Sequence, residues 1–108
     1  MANTFLRQSL DTIGTSAETL YTVPADKTAV LIGGLISNTS NATCNATVTV
    51  TIGSDVISLI GTNTPIPANT ALSFIDGKIV VQTTDVVKVT GSVANALDAH
   101  LSYMEIDV

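Results

Sequence analysis

The sequence predicts an all-β chain: one antiparallel β-sandwich, jelly-roll-like or immunoglobulin-like, of about eight or nine short strands with no significant helix. Three observations carry this. Apolar and polar residues alternate with a period of two, most plainly in "NATVTVTI" from Asn45 to Ile52, where Ala46, Val48, Val50 and Ile52 face one way and Thr47, Thr49 and Thr51 the other. No stretch holds a helical stripe between capping residues. Turn residues recur at near-regular spacing, which leaves no room for the crossover helices that parallel strands need.

Taken in order, strands are expected over Thr4–Ile13, Glu18–Val23, Thr28–Ser37, Asn45–Ile52, Val56–Ile60, Ala71–Ile75, Ile79–Gln82, Val86–Thr90 and Leu97–Ile106. Between them lie Gly14-Thr15, Pro24-Ala25-Asp26, Asn38 to Asn41, Gly53-Ser54-Asp55, Gly61 to Pro65, Asp76-Gly77 and Thr83-Thr84-Asp85. In "SFIDGKIV", Asp76-Gly77 between two apolar strands reads as a tight hairpin flanked by Ile75 and Lys78, because the central residues of such a turn need positive φ. Two segments share one pattern, "TVPADKTAVL" and "PIPANTALSF". In each, Pro24 or Pro67 fixes φ, and Asp26 or Asn69 can bond its own neighbouring backbone before the chain enters a strand. The repetition points to two similar corners, placed at one end of the sandwich. Proline also removes a donor, so each belongs at a sheet edge or just outside one.

With 108 residues the chain is expected to form a single domain over 1–108, since one hydrophobic core needs about that much chain. The composition is 45% hydrophobic, 12% charged and 4% aromatic, with no Trp, against roughly 25% charged in ordinary soluble domains. Few charges leave little to keep exposed apolar surface apart, so burial in an oligomer or larger assembly is expected. The net charge of -5 comes with only four bases, Arg7, Lys27, Lys78 and Lys88, scattered along the chain. That argues against nucleic acid as a partner, because phosphate binding needs clustered positive charge. The most apolar run, Ala29 to Ile36, is too short to span a membrane, so no membrane partner is expected. The opening residues lack the apolar segment of a signal peptide, so synthesis and folding in the cytosol are expected.

Candidate chemistry is sparse, and no catalytic, cofactor-binding or metal-ligating residue is expected. His100, the sole histidine, lies on the polar face of its strand with Asp98 and Ser102, and reads as a surface or interface residue rather than half of a dyad with Cys44. Cys44 cannot close a disulfide within this chain and reads as a small buried thiol. The carboxylates Asp55, Asp76, Asp85, Asp98, Glu105 and Asp107 fall mostly at turns or near the C-terminus, without the aromatic platforms of a glycosidase cleft or the spacing of a calcium loop. Gly33-Gly34 interrupts a strand instead of opening a helix, which fits a bulge or close backbone packing and not a phosphate loop. Three Asn-x-Ser/Thr triplets, starting at Asn38, Asn41 and Asn45, read as a polar loop and strand entry.

The order "TLYTVPADKTAVLIGGLISNTS", a Thr/Val strand, "TPIPANTALSFIDGKIVVQTTDVVKVTGS" and a closing "LSYMEI" resembles the small β-structured virion proteins of tailed bacteriophages, including phages of cyanobacteria and marine bacteria. The likeness runs from about Arg7 to Ile106 and rests on turn and strand chemistry. It implies a non-enzymatic structural protein of the virion, made in the host cytoplasm, that decorates or cements the capsid. Its expected partners are further copies of itself, with a trimer preferred, and other virion proteins such as the major capsid protein. Alternatives are a neck, tail or fibre component, including a lectin-like module for host glycans, although few aromatics are present to stack on sugars. No cofactor is implied. Terminal strands often lie at sheet edges, so Phe5, Leu6, Tyr103, Met104 and Ile106 are the expected interface, with Leu10 and Leu101 assigned to the core.

Overall fold

The computed structural model describes residues 3–75 and 77–107. Ten strands form the fold: β1 (Asn3–Ile13), β2 (Glu18–Thr22), β3 (Lys27–Asn38), β4 (Cys44–Ile52), β5 (Asp55–Ser58), β6 (Thr64–Ile66), β7 (Ala71–Ser73), β8 (Ile79–Val81), β9 (Val86–Gly91) and β10 (Leu97–Asp107). All pairings are antiparallel, in two sheets. One runs β1-β10-β3-β7 with β8 also on β3; the other runs β2-β9-β4-β5 with β6 also on β4. We call them the terminal sheet and the threonine sheet. The spatial orders β1-β10-β3-β7 and β2-β9-β4-β5 are those of a jelly roll, which resolves the choice between the two sandwich types.

The alternation read from the sequence is the alternation of burial, except that Ile52, expected on the inward face, is exposed where β4 runs out into the Gly53-Ser54 turn. Cys44, Ala46, Val48 and Val50 of β4 are buried and the residues between them half-buried. Across from them lie Ala29, Leu31 and Ile36 of β3 and Leu97, Ala99, Leu101 and Tyr103 of β10. The core is aliphatic, with Tyr21, Phe74 and Tyr103 as its large rings. Leu101 is fully buried as expected, and Leu10 is partly buried against the core.

The strand missed by the sequence reading is β6. Pro65 reads as a loop residue, yet β6 is an edge strand paired only with β4, where a missing N–H faces away from the ladder. Asp76-Gly77 is corrected as well. Asp76 lies outside the described residues, and Gly77 does take positive φ (+84°), but the segment is not a hairpin turn. β7 pairs with Leu35–Ser37 and β8 with Ala29–Leu31, so both lie end to end along one edge of β3. Between them the chain dips inward to bury Phe74 and Ile75. Phe74 N donates to Gly34 O at 3.1 Å, and a Cβ on Gly34 would stand 2.5 Å from the Phe74 ring. Gly34 therefore serves close packing while Gly33 lies next to a bulge at Ile32, where the register with β10 shifts, and the burial of Phe74 overrides the local turn preference. The two-residue hairpin is instead Gly53-Ser54, with Gly53 at φ +62° and Ile52 paired to Asp55.

The two proline corners share a backbone device. Asp26 (φ 62°) and Asn69 (φ 56°) both take the left-handed conformation that short polar side chains tolerate. Both carry the chain from the threonine sheet to the terminal sheet. They stand at opposite ends, not at one: Lys27 begins β3 opposite Asp107, whereas Ala71 begins β7 opposite Ser37, at the other end of β3. A third loop is organised by Asn38, only 2% exposed. Its Nδ2 donates to Ala42 O and Ile66 O at 2.8 Å each, and its Oδ1 accepts from Ser40 N (2.9 Å) and Ser40 Oγ (2.7 Å).

Candidate assembly surfaces

β1 is the edge of the terminal sheet. It pairs with β10 from Asn3 to Leu10, a bulge follows with Thr12 at φ 48°, and Ile13 is fully buried. Thr12 N donates to Asp98 Oδ1 at 2.9 Å, which secures the bulge. From Asn3 to Asp11 every residue but Leu10 is exposed, on both faces of the strand. The cause is length: β2, which lies across from β1 in the other sheet, has 5 residues against 11 and leaves much of β1 uncovered.

The expected interface residues divide accordingly. Phe5 is 74% exposed on β1, and Leu6 is exposed on the opposite face of the same strand. Met104 and Ile106 are half-buried. Tyr103 is in the core, 4% exposed. β10 is not an edge strand but lies between β1 and β3, because jelly-roll winding returns the last strand to the gap between the first and third.

Directly paired residues of antiparallel strands project to the same face, so the register defines rungs across the outer side of the terminal sheet. One rung reads Phe5–Met104–Val30–Val80, apolar across all four strand positions. Another reads Ser9–His100–Leu35–Ser73. Val80 (61%), Leu35 (48%) and Ile32 (40%) are exposed here. The sequence reading missed these residues, although "AVLIGGLI" carried the signal: a near-continuous apolar run is what a strand covered on both faces shows. The outer side of the threonine sheet is more polar, with rungs Thr19–Lys88–Thr49–Ser58 and Thr90–Thr47, and a mixed rung Thr22–Val86–Thr51–Val56 near the Gly53-Ser54 turn.

His100 is exposed on the outer face, as expected, with Nδ1 2.7 Å from Ser9 Oγ. Ser9, Asp11, Leu35, Asp98 and His100 line a shallow groove of ≈ 500 Å³. The Asp98 carboxylate is engaged by Thr12 N, and the Ser-His pair stands open to solvent, without the water exclusion that makes positioned charges effective in acyl transfer. Cys44 is 1% exposed with Ser92 Oγ at 3.6 Å. No group of three His, Cys, Asp or Glu suited to a metal ion occurs among the described residues. The same residues include no helix long and apolar enough to cross a membrane.

One buried polar cluster ties the sheets together. Tyr21 of β2 donates its hydroxyl to Glu105 Oε2 of β10 at 2.6 Å, and the Tyr21 and Tyr103 rings lie 4.1 Å apart. Burial first, then the hydrogen bond and charge of Glu105, push the Tyr21 phenol well above the usual tyrosine range. Burial, then the Glu105 charge, raises Tyr103 as well.

No family model matches the chain, and no curated protein matches it in sequence. Among solved structures it is similar to a protein described under Bacillus endospore appendages, which form a family of disulfide-linked pili. The TM-score is 0.55 at 16% identity, over 100% of this chain and 92% of that one. At that identity the likeness is one of fold: two chains that wind the same sandwich.

Proposed function

We propose that this chain is a non-enzymatic structural subunit that works inside a larger protein assembly, joined to further copies and to other components. The observation that carries the reading is β1: an 11-residue edge strand, bared on both faces, with one row of backbone donors and acceptors free to add to a neighbouring strand. Low charge and exposed apolar residues agree with it. The resemblance to phage virion proteins supports a tailed bacteriophage as the particle, with the capsid surface as first location and neck, tail or fibre as the alternative. Quantitative peptide mass spectrometry of purified particles, ratioed to the major capsid protein, tests this. Hundreds of copies per particle mean decoration, about a dozen mean neck, tail or fibre, and absence from the particle ends the virion reading.

A second reading is an appendage subunit, favoured by the pilus protein that shares the fold. Covalent linkage does not carry over readily, because the one cysteine in these 108 residues is buried and a disulfide-linked chain of subunits needs at least two reachable thiols. Filaments of purified protein in negative-stain micrographs, stable in reducing agent, would favour this reading.

A further inference from the structure

We propose that the outer face of the terminal sheet is an interface with a second copy of this chain, the two sheets packing face to face. This rests on the assembly reading above and shares Phe5 and Met104 with the interface expected there, but it uses the outer face of the sheet and not the backbone edge of β1. Four strands distant in sequence each place an apolar side chain outward on one rung, Phe5, Met104, Val30 and Val80, with Ile32 and Leu35 beside it. Outward positions of a sandwich are normally polar, and no outward rung of the threonine sheet of this same molecule is apolar across all its strands, the nearest being the mixed Thr22–Val86–Thr51–Val56. The isolated fold gains nothing from the apolar choice, so something covers it.

Two arguments identify the cover as another copy. The first is size. Three long strands of about 37 Å and the short β7 and β8 segments of about 10 Å each, spaced about 4.8 Å apart, present a projected area of roughly 600 Å², approaching the ~800 Å² per partner of a standard stable interface. The second is self-complementarity. With a two-fold axis along the strands between β10 and β3, the apolar rung lies on its own reversed copy: Phe5 over Val80 and Met104 over Val30, twice. The same axis sets His100 against Leu35 and keeps Arg7 and Asp98 of one copy away from their counterparts. Aligned packing of two sheets about 10 Å apart is the ordinary geometry for such a pair, and an isologous contact closes on itself.

The test is light scattering and sedimentation of the purified chain over a wide concentration range, for wild type, Val80→Thr, Val80→Lys and Leu6→Lys. Val80 is exposed in the single chain, so both Val80 variants should melt as wild type does at concentrations low enough for wild type to be monomeric, which circular dichroism checks. The expected result is a wild-type dimer, weakened about tenfold by Val80→Thr and 100-fold or more by Val80→Lys, since each substitution enters the interface twice. A wild-type monomer at all concentrations, a trimer, or a dimer indifferent to Val80→Lys overturns the proposal. Leu6 sits on the other face of β1, so self-association lost in Leu6→Lys but kept in Val80→Lys would leave the β1 edge reading standing while this one falls.

Discussion

Replacing Gly34 by Ala tests how the terminal sheet is held together. A methyl group there would stand 2.5 Å from Cε2 and Cζ of Phe74 and 3.0 Å from Ile75 Cγ1. Real Cβ atoms do not come so close, and Phe74, 3% exposed, has little room to retreat. Overpacking of this kind costs about 1–3 kcal/mol, and we expect the upper half of that range because the clash is with a buried ring. Phe74→Leu removes the two atoms in conflict, at about 1–1.5 kcal/mol of its own for the lost ring volume. In that background Gly34→Ala should cost under about 1 kcal/mol, since only the Ile75 contact remains and alanine loses less backbone entropy than glycine on folding. The assay is urea unfolding of the four proteins of this cycle, with unchanged m-values as the check that folding stays two-state. A Gly34→Ala variant as stable as wild type, or one equally destabilised in both backgrounds, would refute the account of Gly34 as a site of close approach.

Other consequences can be measured directly. Asn38→Ala strands the buried carbonyl of Ile66 and releases the Ser40 loop, and should lower stability by about 1–3 kcal/mol in the same urea assay, with Asn38→Asp no rescue because it lacks the N–H donors. Tyr21 and Tyr103 are held neutral in the folded state, their pKa values raised above the ordinary tyrosine value of about 10. Their contribution to stability is therefore complete below pH 10 and lost as pH rises through the folded values, each adding at most about 1.4 kcal/mol per pH unit to the fall. Absorbance at 295 nm should show two tyrosines ionising together with unfolding, and Tyr21→Phe should flatten the alkaline limb while costing about 1–2 kcal/mol at pH 7. Deleting Met1 to Leu6 should leave the melting temperature within a few degrees, since Asn3 to Leu6 bury little, and should abolish assembly; unchanged assembly would remove β1 from the mechanism.

Much of the fold was legible because one face of most strands is buried and the other is not. Alternation in β4 and in β10 set both the strand and its inner residues, from Val48 to Leu101. What escaped depended on neighbours. The Asp-Gly turn was outweighed by the burial of Phe74, and β6 was hidden because Pro65 is tolerated only at an edge that the sequence could not locate. Winding decided the fate of Tyr103: a terminal strand ended up interior, so a residue expected at an interface fills the core. Phe5 and Met104 were legible as interface candidates, but their alignment with Val30 and Val80 on one rung exists only once the register of four strands is known.

The far side of the sandwich from β1 carries β5 with β6 in one sheet and β7 with β8 in the other, each a segment of three or four residues broken by a loop. Short interrupted edges are poor templates for a stray strand. The molecule thus has a receptive flank and an inert one, and growth by strand addition has a built-in stop. A chain accumulating at high concentration would be guarded on its inert flank from the cross-β ribbons that an uninterrupted pair of edges invites, with the one receptive strand reserved for its partner.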